Sequence, residues 1–166
     1  MRLAIVWRVL SLAALTLALS GHGLAQGQQD LRYDGVVNDY TANLDGNGAW
    51  HITGEWTMFV KGNSGKGTFS AGFTMARAAA EPRSFHTHHV TLEDGTVTVL
   101  PNGYRISGTA AMAGNGALAG FTGSPVTVEI TGGNAVRFSN LAITFGGGAV
   151  NHFGSGTIKG VVTQEQ

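Results

Sequence analysis

The sequence predicts an all-β domain, a single antiparallel meander of roughly eight to nine strands, and three observations lead there. Apolar residues alternate with polar ones at a period of two through most of the chain beyond residue 30, the pattern of strands with one buried face. Glycine is abundant, 26 of 166 residues, and falls mainly between the alternating runs, where tight turns form. Helical periodicity is nearly absent after residue 25; the one stretch that suits a helical turn is Ala76 to Glu81, which Pro82 would stop. A meander with one inward face closes into a β-barrel, the favoured arrangement, or folds as a two-sheet β-sandwich that buries the same residues.

Residues 1–25 read as a secretory signal peptide. Arg2 and Arg8 form a basic head, Val9 to Leu19 is an almost unbroken apolar run, and Gly23 and Ala25 supply the small residues a signal peptidase needs. The apolar run is about half of what a membrane-spanning helix requires. Cleavage after Ala25 is therefore expected, leaving residues 26–166 as one periplasmic or secreted domain without a membrane anchor. Losing Arg2 and Arg8 leaves a formal charge of about −2, too small to draw in nucleic acid or anionic lipid by bulk electrostatics. The chain has no cysteine, so neither disulfides nor a lipidated cleavage-site cysteine enter the picture.

Within the domain, Tyr33 to Leu44 is a first strand of weaker pattern. Trp50, Ile52, Gly54, Trp56, Met58 and Val60 share one face of a second strand, and Phe69, Ala71, Phe73 and Met75 repeat the pattern after a Gly62-Asn63-Ser64-Gly65 turn. Val90 and Leu92 run into Asp94-Gly95, then Val97 and Val99, which reads as a second hairpin with a two-residue turn. After Pro101-Asn102 comes a strand through Tyr104, Ile106, Gly108, Ala110 and Met112, then Val126, Val128 and Ile130, then a hairpin at Gly132-Gly133-Asn134 into Val136 and Phe138. At Ser139-Asn140 the apolar phase moves from even to odd positions, which an inserted residue, a β-bulge, explains. Gly146-Gly147-Gly148 reads as a mobile loop, and Thr157 to Val162 as the last strand. Glycines inside the long runs, such as Gly54, Gly72, Gly108 and Gly160, would help these strands coil into a barrel.

One cluster carries chemistry: Phe85-His86-Thr87-His88-His89, followed by Glu93. On a strand, His86 and His88 project from the face of Val90 and Leu92, toward the interior, whereas His89 projects the other way. Two imidazoles spaced i, i+2 reach one metal ion, and neutral imidazole suits zinc or copper. His152, between Asn151 and Phe153 in a glycine-flanked segment, is the best third ligand; Glu93 and His89 are reserves, and His51 is opposed by its parity with Trp50. The bland alternative is that these histidines are strand residues that bind nothing.

His86-x-His88 followed by Glu93 resembles the first histidine box of the cupins, and Phe85-His86-x-His88 resembles the copper-ligand strand of copper-zinc superoxide dismutases. The first resemblance implies a metal held inside a β-barrel, the second a copper site on an exported β-barrel. Neither extends beyond about ten residues: the glycines and second box of the cupins, and the zinc-site aspartate and cysteines of the dismutases, have no counterpart here.

Other constellations favour structural roles. Gly123-Ser124-Pro125 lacks the second glycine of a nucleophile elbow. Asp34, Asp39 and Asp45 are spread over a strand and its turn, and Asp45-Gly46-Asn47-Gly48 lacks the later glutamate of a calcium loop. Trp50, Trp56, Phe69, Phe73 and Tyr104 share the inner face, where they fill a core or line a cavity for a small apolar ligand. The first functional expectation is thus a non-catalytic exported domain that binds a small molecule or an extracytoplasmic protein. The alternative is a zinc- or copper-binding protein or metalloenzyme built on the His-x-His strand.

Overall fold

The period-two alternation becomes eight strands: β1 (Leu31–Tyr40), β2 (Trp50–Lys61), β3 (Lys66–Arg77), β4 (His86–Leu100), β5 (Gly103–Gly114), β6 (Ser124–Thr131), β7 (Asn140–Phe145) and β8 (Ile158–Glu165). In the computed structural model each strand pairs antiparallel with the next, and β8 returns to β1, closing a barrel in plain meander order. The structure describes residues 29–41, 49–77, 85–115, 123–132 and 140–166. The expected signal peptide, the Asp45 turn, the Val136–Phe138 run and the Ser139 side of the expected bulge lie outside these residues.

Closure removes the unpaired edges that a sheet would expose. An eight-stranded barrel has room inside for side chains and little else, and here the inward positions are apolar. Ile52, Trp56, Met58 and Val60 of β2 are buried, as are Phe69, Ala71, Phe73 and Met75 of β3. Ile106, Ala110 and Met112 of β5 join them, with Val126, Val128 and Ile130 of β6. The Trp56 and Phe69 rings stack with centroids 6.3 Å apart. At Gly54 the two backbones come close: a Cβ there would sit 1.9 Å from the carbonyl oxygen of Gly72, across the β2–β3 ladder. Only glycine lets the two backbones approach in that way.

Three expectations need correction. Asp94-Gly95 does not reverse the chain. β4 runs unbroken from His86 to Leu100, and its register slips against both neighbours around Glu93 and Asp94. The inward positions are even through Leu92 and odd from Gly95 on, as a bulge produces. Gly95 faces inward, and a Cβ on it would come within 2.2 Å of Ile106 Cγ2 and 2.3 Å of Leu92 Cδ2. An Asp-Gly pair suits a hairpin turn and a bulge equally well, and core packing decides between them; the reversal falls instead at Pro101-Asn102.

The second correction concerns helix. Ala76 and Arg77 end β3 as strand, with Arg77 paired to Trp50, so the turn expected over Ala76–Glu81 does not start where the sequence suggested. The third is the glycine loop. Gly147–Ala149 forms a 3-10 turn that runs directly into a one-turn helix, α1 (Val150–Phe153). Ala149 and Phe153 are both buried, so this segment plugs the end of the barrel. The Phe153 ring stacks on Phe145 at 4.3 Å and meets Phe73 at 6.3 Å. Replacing Phe153 with alanine should cost about 3–5 kcal/mol, the usual range for emptying a buried phenylalanine site, and chemical denaturation would measure it.

Candidate metal centre

The end of β3, the start of β4 and the helical plug lie at one end of the barrel, and there the structure gathers three histidines. His86 opens β4 opposite Met75, and His88 follows opposite Phe73, so both side chains belong to the inner face as strand parity requires. His88 is 3 % exposed; His86 and His152 are half-buried. The third comes from α1. With Phe153 anchored in the core and its ring 5.3 Å from the His88 ring, the preceding His152 is set over the two strand imidazoles. Gly154, at φ 88°, turns the chain away at once toward β8.

The Nε2 atoms converge. His152 Nε2 lies 2.8 Å from His88 Nε2 and 3.1 Å from His86 Nε2, and the potential ligand atoms of all three residues fall within 4.8 Å of one another. A ring nitrogen points either one N–H or one lone pair in a single in-plane direction. One proton therefore satisfies one of the two contacts of His152 Nε2 well, but not both. A cation accepts all three lone pairs at once. Tetrahedral zinc with Zn–N bonds of about 2.0–2.1 Å holds its nitrogens about 3.3 Å apart, a separation that the present spread brackets.

The electrostatics keep the donors neutral. Burial, then the neighbouring His152 and His86, push His88 down to about 4. Burial and the guanidinium of Arg77 lower His86, and burial and His86 lower His152. Because the folded pKa of His88 lies below its unfolded value, the unfolded chain binds more protons in between. The stability tied to neutral His88 is complete above pH 6.5 and is lost progressively as pH falls toward 4. Urea denaturation of the metal-stripped protein at pH 7 and pH 4.5 should show that decline, and an unchanged midpoint would refute it. His88 Nδ1 is buried without a hydrogen-bond partner among the described residues, so no carboxylate strengthens this imidazole as a donor.

The other sequence candidates lie elsewhere. Glu93 and His89 are exposed on the outer wall, where His89 Nε2 approaches Ser70 Oγ at 3.4 Å. His51 also faces outward, bonded to Asn38 at 2.6 Å and stacked on Tyr40. Of the five aromatics considered as cavity lining, Trp56, Phe69 and Phe73 are buried in the core. Trp50 sits on the rim of the histidine cluster, its ring edge-on to His86 at 4.5 Å, with the Arg77 guanidinium 4.4 Å from its centroid. Tyr104 is at the opposite end, where with Tyr33, Leu31 and Glu165 it borders a cleft of about 180 Å³.

Sequence reasoning missed Phe153 as the anchor of the third ligand and Arg77 as the charge acting on His86. The first had a signal: Ala149 and Phe153 lie four apart and Gly154 follows, the apolar pair and terminator of a short helical turn. Arg77 had none, since its approach to His86 depends on two strands pairing.

Compared with protein-family models, curated proteins and solved structures, the chain matches none. The cupin and dismutase resemblances stop at one strand. Cupins are jelly rolls, whereas this barrel is a closed meander whose Glu93 points away from the histidines.

Proposed function

We propose that this barrel is a metal-binding domain in which His86, His88 and His152 hold one zinc or copper ion through their Nε2 atoms. The observation that carries the reading is the approach of both other Nε2 atoms to His152 Nε2, at 2.8 and 3.1 Å, an arrangement that protons satisfy only in part. Depressed basicity supports it as well, because three neutral imidazoles need shed no protons before they bind at pH 7.

Three protein ligands leave a tetrahedral ion one position for water or another small ligand, the pattern of reactive rather than purely structural zinc sites. The missing partner at His88 Nδ1 argues for weaker, exchangeable binding than in a closed four-ligand site. Titration of the metal-stripped domain with zinc and with copper(II), followed by calorimetry and by metal analysis after gel filtration, tests the proposal. One equivalent retained per chain is expected, and no retention of either ion would refute it.

A further inference from the structure

The triad would leave a bound ion with an unbalanced charge. Its donors are three neutral imidazoles, and among the described residues no carboxylate joins the cluster. A divalent ion therefore keeps both its positive charges, and Arg77, the charged group whose field reaches His86, is positive too. Arg77, the last residue of β3, pairs in register with Trp50, and its guanidinium carbon lies 4.4 Å from the Trp50 ring centroid. The Trp50 ring in turn stands edge-on against His86, centroids 4.5 Å apart. Arg77 thus packs on the face of Trp50 and Trp50 against His86, which ties the guanidinium to the rim of the triad, where its field reaches His86.

We infer that the open coordination position of the metal takes a small planar oxyanion, of the carboxylate or bicarbonate kind, whose second oxygen is held by Arg77. This rests on the metal-binding reading above. The chemistry follows from charge and shape. An anion lowers the charge of a cationic site that no described acidic residue balances, and a planar guanidinium matches a planar oxyanion through parallel N–H bonds. Five N–H donors let such a group lie on an indole ring and still engage an anion. His86 and His152 are only half-buried, so the triad is accessible to a small molecule.

Cobalt(II) tests the two claims separately, since its visible bands report both its binding and its fourth ligand. The domain is loaded with cobalt(II) and titrated with formate and with bicarbonate, alongside the variant Arg77→Gln. Both proteins are expected to bind one cobalt(II), both anions to shift the bands of the parent protein, and the variant to need about tenfold more formate or greater. Cobalt(II) bands that ignore both anions, or a variant that titrates like the parent, would overturn the inference while leaving the metal reading intact. Failure of the parent to bind cobalt(II) would sink both. If Arg77→Gln does not fold, Arg77→Lys replaces it, keeping the charge and losing the fork; a several-fold weaker formate response supports the inference, and an unchanged one overturns it.

Discussion

Changing His88 to alanine should weaken zinc binding by about a hundredfold or more, while the barrel stays folded. Zinc held by four protein ligands is worth about 10–16 kcal/mol at neutral pH, so one nitrogen of a three-nitrogen set accounts for several kcal/mol of whatever affinity exists. His88 is the most buried of the three, and water would have to enter the barrel end to replace it. His89→Ala is the matched control: one position along the same strand, on the outer wall, it should bind zinc as the parent does. Competition with a chromophoric chelator reads both affinities. Equal affinities for His88→Ala and the parent would place the metal elsewhere.

Gly54→Ala should destabilise the domain by about 3 kcal/mol, toward the upper end of the usual cost of overpacking. The added methyl would lie 1.9 Å from a backbone oxygen, so no side chain can swing aside to relieve it; the β2–β3 ladder itself must open. Gly72→Ala supplies the contrast. It lies on the facing strand, yet a Cβ there meets nothing within 4 Å, and its stability should stay within about 0.5 kcal/mol of the parent. Urea midpoints of the two variants decide the matter. Equal midpoints would mean that the close approach of the two backbones does not need glycine at position 54.

These variants separate what is local from what is not. Strand parity alone puts His86 and His88 on the same face as Val90 and Leu92, because successive residues of an extended chain point to opposite sides. The same rule assigns His89 and Glu93 to the outer wall, where the structure has them. Legibility ended where one local signal serves two geometries. Asp94-Gly95 could turn or bulge, and the inward crowding of Gly95 by Ile106 and Leu92 came from a partner strand that the dipeptide does not encode. The glycine run before α1 looked like a loop because a single helical turn carries little periodicity. Its formation depends on Phe153 finding Phe145 and Phe73.

By itself the sequence determined the all-β class, the inward face of most strands and the first two imidazoles of the cluster. Each of these depends only on the alternation of neighbouring side chains. Closure of β8 onto β1, the continuous β4, and the arrival of His152 beside residues 64 and 66 positions earlier were decided by the tertiary structure. Contacts across such separations form only when the whole barrel shuts, since the energy that holds them comes from burying apolar groups supplied by strands distant in the chain.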